Sequence, residues 1–342
     1  MKNRCSELNA VYCCSDFFSE VCGVSIVSLF ENNKHINTIN IYIIDDNISV
    51  TNKERLLMIA ESYCRCLIFI PLPDPAKFFK DKRLSKDVMG HTYGRLILGS
   101  IIPENVSRIL SLDCDTMVLN KIDDLWTIDL SNNPIAGVDD CMGRVALVKT
   151  QHMKEDAVHC NAGMLMLDLD IWRRENWTKQ FYEYISDLLT KGYSLGGYEE
   201  EVINMVLGKR MLVLHPRFNL MTIEQVLEYE EMLFFREPIN YYSKKEIIEA
   251  KLNAVITHTT NFFYIRKRVF ETNSDHPMRA NYEKYRKMTP WKDELEIKYD
   301  FKVKHFILKE IWHCMPRKLA LRLGRFVRNH IRPLLNKKRD DE

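Results

Sequence analysis

Three places in the chain set acid or imidazole side chains at the border of an apolar run. In the first, Ile109-Leu110-Ser111-Leu112 ends in Asp113-Cys114-Asp115 before apolar sequence resumes at Met117-Val118. Ile109, Leu110 and Leu112 have the continuous apolar character of a strand buried on both faces. On an extended chain, carboxylates at i and i+2 leave the same face. Two hard oxygen donors held that way suit a divalent cation that stays partly open to phosphate oxygens. Asp-x-Asp also arises by chance in turns and helix caps, so the reading needs the rest of the chain. In the second place, Glu199-Glu200-Glu201 precedes Val202-Ile203-Asn204, three acids in a first helical turn where the helix dipole favours them. In the third, His258 follows the short apolar run Val255 to Thr257.

These groups need a scaffold, and the apolar pattern predicts one. Strands are expected at Ala10–Cys14, Ile39–Ile44, Leu67–Leu72, Ile109–Leu112, Ile135–Val138, Cys160–Leu167, Leu212–Leu214 and Val255–Thr257. Helical spacing covers Val21–Phe30, Ser49–Ser62, His91–Leu98, a segment carrying Trp172 that starts at Asp168 or Asp170, and the amphipathic Phe181–Leu189. Thr51 with Glu54 has the form of a capping box, and Gly196-Gly197-Tyr198 that of a loop before the acidic helix. Strands and helices alternating in units of roughly 30 residues predict a parallel, doubly wound α/β sheet. Ligands of such sheets collect beyond the carboxyl ends of the strands, where Asp113 and Asp115 would sit. Gly-x-Gly-x-x-Gly is absent after the first strand, which disfavours a nicotinamide or flavin enzyme. A Walker-type Gly-Lys-Ser/Thr loop is missing too, which disfavours P-loop phosphoryl transfer.

With 342 residues, the chain is long enough for one large α/β domain and an appendage, or for two domains. Its 46% apolar and 28% charged residues are ordinary for a globular protein, and a net charge of +2 gives no hint of nucleic acid. No secretory start and no bilayer-length apolar stretch is visible. The ten cysteines are scattered without Cys-x-x-Cys, so they are expected to be reduced core thiols of a cytoplasmic protein. Past residue 264 the character changes, giving expected units of 1–264 and 265–342. From Pro316 to Arg339 there are nine Lys or Arg and no acid. On a helix, Leu319, Leu323, Phe326 and Val327 share one face, with Lys318, Arg322, Arg325, Arg328 and Arg332 opposite. That pattern fits an anionic membrane surface, or a helix docked on the domain with a solvated basic side.

Several marks then coincide in order: Val11-Tyr12-Cys13-Cys14-Ser15-Asp16, His91-Thr92-Tyr93-Gly94-Arg95-Leu96, Leu112-Asp113-Cys114-Asp115, Leu125-Trp126, Asn161-Ala162-Gly163-Met164-Leu165, the acidic triplet before Val202-Ile203-Asn204, and Thr289-Pro290-Trp291. Together they resemble glycosyltransferase family 8, retaining enzymes of the GT-A fold that use nucleotide sugars. The likeness is greatest to bacterial lipopolysaccharide glucosyl- and galactosyltransferases and spans roughly residues 10 to 292. The resemblance implies a GT-A, Rossmann-like, mostly parallel mixed sheet flanked by helices. It implies that Asp113, Asp115 and His258 hold Mn2+, with Mg2+ a permitted substitute, against the donor diphosphate. It further implies that the Cys13 backbone and Phe18 lie near uracil and that Arg95 reaches the donor phosphate or sugar. Asn161, Ala162 and one of Asp139 and Asp140, with Asp140 preferred, would contact the donor sugar.

Two departures from the family pattern bear on mechanism. The family's Asp-Gln-Asp is Glu199-Glu200-Glu201 here, which puts a carboxylate at Glu200 near the reacting anomeric carbon, with Glu199 near donor and acceptor. The family's His-x-x-Gly-x-x-Lys-Pro-Trp reads His258-Thr259-Thr260-Asn261-Phe262-Phe263-Tyr264, without the lysine that neutralises the leaving phosphate; Arg266 or Lys267 is the nearby substitute. The expected function is therefore transfer of glucose or galactose from a UDP-sugar to a glycan or lipid-linked glycan acceptor. That activity is expected on the cytoplasmic face of a bacterial plasma membrane. The alternative is a homologue that binds nucleotide sugar without transfer.

Overall fold

The first strand, β1 (Glu7–Ser15), is buried along most of its length. The computed structural model describes residues 6–143, 158–193, 198–297 and 310–331. Nine further strands follow: β2 (Thr38–Asp46), β3 (Cys66–Pro71), β4 (Arg108–Leu112), β5 (Thr116–Val118), β6 (Ile135–Asp139), β7 (Cys160–Asp168), β8 (Met211–Val213), β9 (Leu220–Met221) and β10 (Ile256–His258). The main sheet has the order β3-β2-β1-β4-β7-β6-β8, and a small sheet has the order β5-β10-β9. β1 pairs in parallel with β2 and β4, whereas β7 runs antiparallel to both β4 and β6. The sheet is thus mixed and mostly parallel, and apolar side chains cover both of its faces. This is the continuous burial that the apolar runs demanded.

The reversal of β7 decides where the site forms. Because it runs against its neighbours, its first residues, Cys160 to Gly163, lie at the edge where β4 ends. There the Asp113 amide donates to the Gly163 carbonyl at 2.9 Å. The chain then turns sharply, with the Thr116 amide donating to Asp113 O at 3.1 Å and the Thr116 hydroxyl to the same oxygen at 2.8 Å, and leaves as β5 in the second sheet. Asp113 to Asp115 is therefore a turn joining two sheets and not the extended segment expected from its spacing.

Local readings differ in two further places. The helix α1 (Ser19–Asn32) is buried on nearly every side, and α2 (Val50–Ser62) is capped by Ser49, whose hydroxyl accepts from the Asn52 amide, and not by Thr51. An N-cap residue must be extended, and Ser49, with ψ 155°, is the last one that is. The expected helix His91–Leu98 is a 3-10 segment over His91–Ile97 continued by a short α-helix, Leu98–Ile101. This tight winding sets Gly94 against Ile44, Leu72 and the Cys13 sulfur, so closely that a Cβ would press on all three. The Gly196-Gly197 loop, Arg332 and the rest of the basic tail lie outside the described residues.

The segment after β10 returns to the first helix. Val269, Phe270, Tyr282, Tyr285 and Trp291 join the same apolar cluster as α1. A buried ion pair fastens the contact: Arg286 Nε donates to Glu20 Oε1 at 2.6 Å, and the Tyr282 hydroxyl donates to the same oxygen at 3.2 Å. Further on, the helix Arg317–Phe326 docks through Ala320 and Leu321. Arg317 pairs with Glu231, Arg325 with Glu237, and Arg328 donates to the Arg236 carbonyl. Part of its basic side thus faces protein, while Leu319, Leu323 and Phe326 remain exposed. Among the described residues, no helix is long and apolar enough to cross a membrane. Replacing Arg286 with Met strands the Glu20 carboxylate in the core and should cost about 3 kcal/mol, read as a lower midpoint in denaturant.

Candidate active site

The site is assembled around Asn161, the second residue of β7. Its side-chain oxygen accepts from the Gly163 amide and from Asn219 Nδ2, both at 3.0 Å, which fixes the amide orientation. The same oxygen lies 3.0 Å from His258 Nδ1, so Nδ1 carries a hydrogen and donates. His258 Nε2 then points at two carboxylate oxygens, Asp115 Oδ1 at 3.1 Å and Asp113 Oδ2 at 3.4 Å. The imidazole can lie this close to β7 only because residue 163 is glycine; a Cβ there would overlap the ring.

The outer oxygens of the two aspartates are held by arginines. Asp113 Oδ1 takes Arg95, and Asp115 Oδ2 takes Arg268. Arg95 is buried and also pairs with Glu199, which accepts from the Thr92 hydroxyl as well. Burial works against its charge, but Asp113 and Glu199 outweigh it and hold the guanidinium firmly protonated. Burial likewise acts to raise the Asp115 carboxyl, yet His258 and Arg268 overcome it and keep the group well below the usual carboxylate range. His258 is raised: burial lowers it, and the Asp115 charge and hydrogen bond more than compensate.

This donor set fits a divalent cation. Asp113 Oδ2, Asp115 Oδ1 and His258 Nε2 all lie within 4.8 Å of one another, and the remaining carboxylate oxygens have other partners. The Asn161 contact on Nδ1 is the support that a metal-binding imidazole needs to keep its other nitrogen free. The surroundings also fit an anion beside that cation. Arg95 Nε and Arg268 Nε are buried and have no hydrogen-bond partner among the described residues.

Beyond Asn161 lies a second group of acids. Asn161 Nδ2 donates to Asp140 Oδ2 at 3.1 Å and to Glu200 Oε2 at 3.2 Å, and Glu200 Oε2 also accepts from the Ala162 amide at 2.8 Å. Asn204, from the helix Tyr198–Leu207, clamps both backbone groups of Cys160 and so registers Glu200 against β7. Burial, followed by the Asp140 charge, pushes the Glu200 carboxyl up to about 8. Asp140 is the member of its pair that reaches Asn161; Asp139 lies beside Tyr242 and Tyr241, raised to about 8 by burial and by Asp140. Cys13 and Phe18 lie on the other side, Cys13 O accepting from the Cys114 thiol and the Phe18 ring edge-on to Phe270.

The structure departs from the sequence reading at the downstream cations. Arg266 turns to Asp275 and Glu310, and the Lys267 ammonium donates to the Thr272 carbonyl. Arg268 is the residue that comes to Asp115. The basic run was legible; which member faces inward is decided by the turn in which Asp275 accepts from the Arg266 and Lys267 amides. Asn219 and His159, both buried here, gave no sequence signal.

The fold is that of a GT-A glycosyltransferase, a class that acts on nucleotide sugars. The family model of glycosyl transferase family 8 matches residues 9–260, and the chain belongs to that family. General stress protein A of Bacillus subtilis is 25% identical, over 83% of this chain and 94% of the relative. Lipopolysaccharide 1,3-galactosyltransferase of Salmonella typhimurium is 22% identical, over 62% of this chain and 63% of its own length. The crystal structure of the galactosyltransferase LgtC with donor and acceptor sugar analogues superposes with a TM-score of 0.65 at 17% identity, over 84% of this chain and all of that one.

The acids near the site set a pH dependence. Glu224, fully buried against Tyr241, is raised from 4.5 to about 8, chiefly by burial. A raised acid is protonated in the fold while already ionised in the unfolded chain. Its contribution is complete below 4.5 and is lost as pH climbs to about 8. Without added metal, stability should fall across that interval. Glu224→Gln should flatten the fall by about 4 kcal/mol, as followed by melting temperature against pH.

Proposed function

We propose that the chain transfers a hexose, glucose or galactose, from a UDP-sugar to a glycan acceptor such as lipopolysaccharide core or another surface polysaccharide, with retention at the anomeric carbon. The observation that carries this reading is the convergence of Asp113 Oδ2, Asp115 Oδ1 and His258 Nε2 beneath two arginines with buried, unused donors. Asp113, Asp115 and His258 would hold the ion. Imidazole with carboxylates suits Mn2+ better than Mg2+. The ion supplies positive charge for the diphosphate of the donor.

The chain's own groups do the rest. Arg95 and Arg268 present N–H donors to the phosphates, which lowers the cost of charge gathering on the leaving group. In this reading Arg268 takes the part of the lysine missing from the family pattern. Cys13 and Phe18 hold the uridine, and Asp140, Asn161 and the Ala162 amide hold sugar hydroxyls. Glu200 faces the reacting carbon. Its carboxylate stabilises an oxocarbenium-like centre or attacks it in a double displacement. In the first case the acceptor hydroxyl enters on the face the diphosphate leaves, and a diphosphate oxygen takes its proton.

UDP release from UDP-glucose and UDP-galactose with and without Mn2+ tests this directly. Release should require the ion and fall at least ~100-fold in Asp113→Asn. Arg268→Ala should lower turnover by a similar factor, while Lys267→Ala stays within a few-fold. Firm UDP-sugar binding with no release across a donor and acceptor panel would replace the transferase with a binding protein.

The exposed Leu319, Leu323 and Phe326, beside exposed Lys318 and Arg322, support a peripheral seat on the anionic inner face of the plasma membrane, where lipid-linked acceptors are assembled. Serine at all three apolar positions should abolish sedimentation with anionic vesicles and leave UDP release intact. Undiminished sedimentation removes the membrane role.

A further inference from the structure

On the far side of Asn161 from the aspartates, His159 is 1% exposed, yet neither ring nitrogen has a hydrogen-bond partner among the described residues. A buried imidazole without a partner carries the full cost of lost hydration and calls for an occupant, a water or an ion. Its Nε2 is 3.9 Å from Glu200 Oε1. Donor atoms of Asp140, His159 and Glu200 all lie within 4.8 Å of one another. Backbone pairing holds Asp140 and His159 side by side, with the Asp140 amide donating to His159 O at 2.7 Å, just past a register shift between β6 and β7.

We propose that Asp140, His159 and Glu200 form a second divalent-cation site, separate from Asp113, Asp115 and His258, and that it takes a borderline ion such as Zn2+. The donor set is chemically apt: one imidazole and two carboxylates, leaving a fourth position for water or a substrate oxygen. As at the first site, one oxygen of each acid is already engaged: Asn161 Nδ2 holds Asp140 Oδ2, and Asn161 Nδ2 with the Ala162 amide holds Glu200 Oε2. Glu200 Oε1 is left on the imidazole side. A tetrahedral ion with bonds of about 2.1 Å needs its ligands roughly 3.4 Å apart, so small side-chain rotations close the site. Two carboxylates facing one another repel, and a cation relieves that repulsion while giving His159 its missing partner. An ion here also commits the Glu200 carboxylate, so its occupancy governs whether that group is free to meet a sugar; this consequence alone rests on the transferase reading.

Anomalous diffraction at the zinc edge, from crystals of the full chain soaked in zinc chloride, locates the ion without any activity measurement. A peak about 2.1 Å from Asp140, His159 and Glu200 is expected. It should vanish in His159→Gln and in Asp140→Asn, either of which suffices if the other does not fold, while a peak at Asp113, Asp115 and His258 remains. Peaks confined to that first cluster or to the thiols of Cys14, Cys22 and Cys114 overturn the proposal, as does a peak that survives both substitutions. The diffraction readout requires no UDP release, so the two readings fail separately.

Discussion

The orientation of one carboxamide organises the site. Asn161 turns its oxygen to His258, Asn219 and the Gly163 amide, and its nitrogen to Asp140 and Glu200. Rotating it by half a turn would set oxygen against two carboxylates and nitrogen against three donors. Every one of its contacts would then be lost or repulsive. That energetic one-sidedness fixes the histidine tautomer on one side and gathers the acids on the other. An aspartate of the same shape could accept from His258 but would only repel the acids.

Charge balance is the second constraint. Asp113, Asp115 and Glu199 meet Arg95, Arg268 and His258 in a confined space, and no charge there stands alone. Removing Arg95 strands Glu199, and removing Asp115 strands Arg268, so these two members are the costly ones to lose. Beyond Asn161 the balance fails. Asp139, Asp140, Glu200 and Glu224 have few cations near them, and three of the four are raised to about 8. The chain therefore pairs a half of the site balanced by cations with a half whose acids are partnered by neutral donors, Asn161 and Tyr241.

The segment beyond β10 belongs to the same design. It supplies Arg268 to Asp115 and packs Phe270 against Phe18, so one stretch touches both the acidic turn and the proposed uridine side. Its hold on α1 through Glu20 and Arg286 ties the position of that arginine to the core of the main sheet. The likeness to General stress protein A spans most of this chain, whereas the family model stops at residue 260, before Arg268.

How much of this was legible follows from what each signal depends on. Local order determined the strands: the short apolar runs Ile109–Leu112 and Cys160–Leu167 suit strands buried on both faces, and both are strands, with Asp-Cys-Asp at the end of one. Residue type determined the chemistry available, since carboxylates and an imidazole bind the same class of ion wherever they meet. The cap of α2 at Ser49 and the tight winding of His91–Ile97 were misread because each turns on a neighbour's backbone angle or packing. Direction and long-range partners were beyond reach altogether. No local pattern reveals that β7 runs backwards, and only that reversal brings Asn161 to Asp113. Arg266, Lys267 and Arg268 are alike as sequence; the turn held by Asp275 picks one. The composition of the site was written in the chain, and its geometry was decided by contacts between residues far apart, because hydrogen bonds and ion pairs depend on distance in space and not on distance along the backbone.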